Sequence, residues 1–131
     1  MNVPAVRVLA GTAVAAAVLS LAAPPATAHN GDDKVRRGSC SGSTDWKVKV
    51  GPEDGRLEVE GEIDSSRRGQ TWRWRLYHNG SLSAHGLRTT SGSSGSYKVR
   101  RTSVDLRGTD RFTLRARNTR NNELCVGTVN Y

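Results

Sequence analysis

From Trp46 onward apolar and charged side chains alternate, and the alternation scarcely stops before the end of the chain. Trp46, Val48 and Val50 interleave with Lys47 and Lys49; Leu57, Val59, Gly61 and Ile63 interleave with Glu58, Glu60 and Glu62. Trp72, Trp74 and Leu76 interleave with Arg73 and Arg75, Tyr97 and Val99 with Lys98 and Arg100, and Phe112, Leu114 and Ala116 with Thr113, Arg115 and Arg117. A period of two sends successive side chains to opposite faces, which suits half-buried strands and gives a helix no coherent stripe. Gly51-Pro52-Glu53-Asp54-Gly55, His78-Asn79-Gly80 and Thr89 to Gly95 supply turn chemistry between the runs. A further strand over Leu82, Ala84 and Gly86 and a last one from Glu123 to Tyr131 bring the total to seven. Seven short strands at this spacing predict an all-β, antiparallel sandwich of immunoglobulin or fibronectin III type.

The N-terminus has a different character. Arg7 is followed by an apolar, Ala-rich stretch from Val8 to Ala23 and then by Pro24-Pro25-Ala26-Thr27-Ala28. A positive start, a hydrophobic middle and a small-x-small site make a secretory signal peptide over 1–28. No Cys stands at the cut and no twin-Arg start precedes it, so neither a lipid anchor nor that export route is expected. Cleavage leaves 103 residues, enough for one domain with a single core. Residues 29–39 are polar and without period and read as a disordered arm, leaving 40–131 for the sandwich. Once Arg7 is removed, 19 basic and 12 acidic residues remain, a net charge of +7 that favours anionic partners or simple solubility.

Cys40 and Cys125 are the only cysteines, and an exported chain meets oxidising conditions, so a disulfide between them is expected. Neither a CxxC spacing nor a neighbouring His favours reactive thiols. In a sandwich of this type the two cysteines fall at the same end and tie the chain termini together.

Parity assigns the two charged faces. The glutamates of the second strand point outward between Lys47 and Lys49 on one side and Lys98 and Arg100 on the other, so they are answered within their own sheet. Arg73 and Arg75 face Arg115 and Arg117 on the other sheet, with His85 beside them, and Asp110 and Glu123 sit only at strand ends. That face, with Tyr77 as its exposed aromatic, is the candidate site for a planar anion, because guanidinium groups hold carboxylate and phosphate bidentately. Turning Trp72 and Trp74 outward as a sugar platform would bury Arg73 and Arg75 unpaired, so the tryptophans belong to the core.

Two local expectations are sharper. A three-residue loop His78-Asn79-Gly80 would pair Leu76 with Leu82 and Trp74 with Ala84, keeping apolar residues on one face, with Trp72 opposite Gly86. In the last strand Leu124 and Val126 share one face while Val129 and Tyr131 share the other, so Gly127 is read as a bulge.

Other chemistries are thinner. His29, the residue after the expected cut, could chelate copper with its amine and imidazole if His78 or His85 joined it. No GxSxG is present, and spacing recommends no Ser-His-Asp set. Asn79-Gly80-Ser81 matches a glycosylation sequon that the turn already explains. Arg67-Arg68 and Ser91 to Ser96 are loops through which a small inhibitor or structural factor could act.

The run Cys40-Ser41-Gly42-Ser43-Thr44-Asp45-Trp46-Lys47, then Pro52-Glu53-Asp54-Gly55, then Gly69-Gln70-Thr71-Trp72, resembles a family of small secreted actinobacterial proteins. The resemblance spans 40–131 and implies a secreted sandwich without lending it a function. Asp110 to Ala116 also resembles strand F of fibronectin III-like domains, with Phe112 where a Tyr is usual. The expectation is therefore a secreted, non-enzymatic interaction module without cofactor, membrane insertion or nucleic-acid partner. It would be a monomer that meets an anionic cell-surface polymer or an acidic protein through Arg73, Arg75, Tyr77, His85, Arg115 and Arg117.

Overall fold

A computed structural model describes residues 32–131. The expected leader over 1–28 and the candidate ligand His29 lie outside the described residues. Eight strands follow in chain order: β1 (Lys34–Ser39), β2 (Asp45–Glu53), β3 (Arg56–Asp64), β4 (Thr71–His78), β5 (Ser81–Thr89), β6 (Ser96–Ser103), β7 (Arg111–Asn118) and β8 (Leu124–Asn130). One sheet has the order β1-β2-β3-β6 and the other β5-β4-β7-β8, with every pairing antiparallel. The all-β immunoglobulin-like sandwich expected from the period is therefore present, with one strand more than the seven read from sequence.

The extra strand is β1, within the arm read as disordered. It pairs with β2 from Lys34↔Val50 to Ser39↔Asp45. Its side chains are exposed on both faces except at Gly38. An edge strand held by backbone hydrogen bonds needs no apolar face, so hydropathy carries no trace of it. Gly38 is the one tight position: a Cβ there would stand 2.6 Å from the Trp46 ring.

The inward faces meet in one core that includes Val48, Val59, Ile63, Trp72, Trp74 and Phe112, all at most 1 % exposed. Both tryptophans lie inside, as parity required. Arg101 of β6 reaches over the Trp74 ring, 5.1 Å from its centroid, so the edge of the core is closed by a cation–π contact between sheets. At one end Cys40 and Cys125 form the expected disulfide. Beside it Ser41 N–H donates to the Leu124 carbonyl at 2.8 Å, and Leu124 N–H donates to Ser41 Oγ at 2.9 Å.

The charge ladder of the first sheet is as expected at Glu60 and Glu62 but not at Glu58, which the register sets between Gly51 and Thr102. Glu60 and Glu62 stand between Lys49 and Arg100 and between Lys47 and Lys98, respectively. Lys47 Nζ reaches Glu62 at 3.0 Å, and Arg100 Nε and Nη2 both hold one Glu60 oxygen at 2.8 Å. Burial pushes the Glu60 carboxyl up. The Arg100 hydrogen bond and the charges of Lys98, Arg100 and Lys49 outweigh that, and the net shift is downward.

Two expectations are corrected. Asn79 (φ 47°) and Gly80 (φ 85°) make a two-residue turn closed by His78↔Ser81, not a three-residue loop. Positive φ at both positions gives the twist that flanking strands need. The apolar register is restored further along, where Leu76 pairs with Ala84 but Tyr77 with Leu82, so Ser83 is the extra residue. Trp74 is thereby opposite Gly86, and Leu82 turns outward. In β8 the ladder with β7 runs unbroken from Leu124 to Asn130, so Gly127 is no bulge. Its hydrogen admits the Trp46 indole, with which any Cβ would collide. Val126 consequently faces out.

Candidate functional site

The outward face of the β5-β4-β7-β8 sheet is built in rows fixed by register. One row reads Leu87, Arg73, Arg117, Leu124, and the next reads His85, Arg75, Arg115, Val126. A third reads Leu82, Tyr77, Thr113, Thr128, and Arg111 lies on the same face one step on. The six residues expected to form the site are thus brought to one surface. Arg73, Arg75, Arg115, Arg117 and His85 are exposed, while Tyr77 is half-buried.

Like charges directly opposite destabilise a ladder unless something answers them. Among the described residues no carboxylate ion-pairs with Arg73, Arg75, Arg111, Arg115 or Arg117. The two acids at the strand ends are committed elsewhere. Glu123 accepts from Thr44 N–H at 3.0 Å and from Thr44 Oγ1–H at 3.1 Å. Asp110 accepts from His78 Nε2 at 2.5 Å and from Leu106 N–H at 3.0 Å. Arg117 alone has a local partner, donating to the Asn122 carbonyl at 3.3 Å.

The four arginines of the first two rows line a shallow groove of about 130 Å³. Arg115 also lines an adjoining cleft of about 550 Å³ with Tyr77, Asn79, Gly80, Arg111, Thr113 and Val126. A ligand with anionic groups over the arginines therefore has room beside them for an uncharged part. The opposite sheet differs in kind. A cleft of about 510 Å³ there is lined by Trp46, Arg37, Lys47, Asp45, Glu62 and Asp64, so both signs of charge are present.

Arg111 shares the parity of Arg115 and Arg117 and was legible in the sequence as part of this face. Of the apolar flank of Leu82, Leu87 and Val126, Leu87 shares the outward parity of His85, while Leu82 and Val126 were hidden by the two register errors. Also unanticipated is a Ser-His-Asp set: Ser103 Oγ lies 3.1 Å from His78 Nδ1, whose Nε2 meets Asp110. His78 stacks on Phe112, ring centroids 4.3 Å apart. Ser103 is 8 % exposed and Asp110 0 %, so the set braces the end of β4 against β6, one sheet against the other.

That brace bears on the copper reading too. Both ring nitrogens of His78 are engaged, which leaves His85, on the outer face, as the second imidazole that reading could use. Among the described residues no three His, Cys, Asp or Glu side chains are grouped to hold a metal. The loops Arg67-Arg68 and Ser91–Ser96 are laced together. Ser65 N–H donates to Gly95 O at 3.1 Å, Gly69 N–H to Thr90 O at 2.8 Å, and Ser91 and Ser96 form a bridge. No protein-family model, curated protein or solved structure matches the chain.

Proposed function

We propose that this chain is a secreted, non-catalytic interaction module that holds an anionic partner on the arginine face of its β5-β4-β7-β8 sheet. One observation carries the reading: Arg73 opposite Arg117 and Arg75 opposite Arg115, with the nearby acids turned to other work. A fold under selection for stability alone would not keep two like-charged cross-strand pairs, each costing a few tenths of a kcal/mol. Bound carboxylate or phosphate relieves that repulsion and is held bidentately. The leader-like N-terminus and the disulfide support an extracellular setting.

The test uses labelled poly-L-glutamate and inorganic polyphosphate as probes at low and at high salt. A quadruple variant (Arg73, Arg75, Arg115 and Arg117 to Gln) is compared with one of equal charge loss on exposed residues elsewhere (Lys34, Arg36, Arg37 and Arg56 to Gln). Loss of about tenfold or more in the first and under about threefold in the second is expected. Equal losses, or none in either, overturn the reading and leave the charge as a solubility feature.

A further inference from the structure

The arginine block has an aliphatic border. Leu87 is directly opposite Arg73, Val126 opposite Arg115, Leu124 opposite Arg117 and Leu82 opposite Tyr77. Leu87, Leu82 and Val126 are 53 %, 52 % and 43 % exposed, half of the six strongly exposed large hydrophobics among the described residues. Scattered exposed leucines need no explanation, but three bordering one unpaired cationic block do. On the outer face of the other sheet the exposed aliphatic is Val35, beside Lys49 in the neutralised ladder.

We propose that the occupant of this face is an acidic protein segment whose carboxylates are flanked by aliphatic side chains. The proposal rests on the anionic-partner reading and narrows it. A polyphosphate or an acidic glycan would satisfy the guanidinium groups yet offer nothing to Leu82, Leu87 and Val126. A peptide with carboxylates at its centre and aliphatic side chains beside them meets both parts of each row. Tyr77 and the cleft shared with Arg115 give such a segment a place for one further side chain. A second copy of this chain is a poor occupant. Face to face it would set arginines on arginines, and the glutamates of its other sheet already hold Lys47, Lys98 and Arg100.

Size sets the strength. Four strands about 4.8 Å apart and six residues of rise at about 3.4 Å give a face of roughly 400 Å², half the ~800 Å² each partner buries in a standard interface. The contact is therefore transient, in the micromolar range, and weakened by salt.

Two twelve-residue peptides of equal charge, repeating Leu-Glu-Glu and Ser-Glu-Glu, are titrated against the folded protein, with inorganic polyphosphate as a third probe. The Leu-Glu-Glu peptide is expected to bind about fivefold to tenfold more tightly than Ser-Glu-Glu. The Leu82→Ser, Leu87→Ser, Val126→Ser variant erases that preference without changing the Ser-Glu-Glu affinity, and its melting curve confirms folding. Equal affinity for the two peptides, a preference that survives in the variant, or tighter binding of polyphosphate overturns the protein-segment proposal while leaving the anionic reading intact. Binding of all three probes that ignores the four arginines overturns both.

Discussion

Arg75 of β4 and Arg115 of β7 are directly opposite each other in an antiparallel ladder, and no carboxylate among the described residues ion-pairs with either. Replacing one by Glu turns a like-charged pair into an opposite-charged one. Arg115→Glu should therefore stabilise the isolated protein by about 0.5 kcal/mol, which for a domain of this size raises Tm by roughly 2–4 °C. The same substitution should weaken binding of an anionic probe at least tenfold. Thermal melts and titrations on one preparation check both. A variant that gains stability and keeps its affinity would remove the reason for calling this face a site.

The glutamate ladder makes the opposite forecast, for pH. Glu60 is 3 % exposed, and its cationic neighbours hold its carboxyl below the ordinary value of 4.5. A group depressed on folding contributes stability that is complete above its unfolded pKa and is lost as pH falls through the folded one. Glu60→Gln should cost about 1–2 kcal/mol at neutral pH, since Lys98 and Arg100 remain half-solvated when their partner is gone. The gap between variant and parent should narrow below about pH 4.5. Urea unfolding at a series of pH values measures it, and a gap that ignores pH would assign the ladder to shape instead of charge.

Period two made most of this legible: which residues face in, which sheet carries balanced charge, and which carries arginine alone. It failed where one atom or one extra residue decides. Gly127 reads as a break in β8 because apolar parity reverses around it, but the strand is regular and the glycine is a seat for Trp46, a residue 81 positions earlier. Ser83 reads as strand, yet it is the surplus residue that turns Leu82 outward. Those two errors concealed Leu82 and Val126 in the aliphatic border of the site. β1 left no signal, being exposed on both faces and held by its backbone. The cleanest check is Gly127→Ala, expected to cost about 2–3 kcal/mol by overpacking. Combined with Trp46→Leu it should cost at least about 1 kcal/mol less than the sum of the two single changes. Strict additivity, read from denaturant melts, would deny the contact.

The His78–Asp110 pair came from no sequence rule, because its members meet from strand ends 32 residues apart. Asp110 is wholly buried and accepts from His78 Nε2–H and Leu106 N–H, which leaves His78 Nδ1 to accept from Ser103 Oγ–H. Asp110→Asn keeps the shape but replaces charge-assisted bonds by neutral ones, and its amide N–H₂ can face His78 only if the imidazole takes its other tautomer. The expected cost is about 2–3 kcal/mol, while Ser103→Ala, which removes one neutral hydrogen bond, costs about 1 kcal/mol. Both residues are buried and off the outward face that carries the arginines, Asp110 just before β7 and Ser103 at the end of β6 in the other sheet. At a temperature where the variants stay folded, affinity for an acidic peptide should therefore match that of the parent protein. Loss of binding in folded Asp110→Asn would mean that the brace, and not the ladder alone, sets the arrangement of the arginine rows.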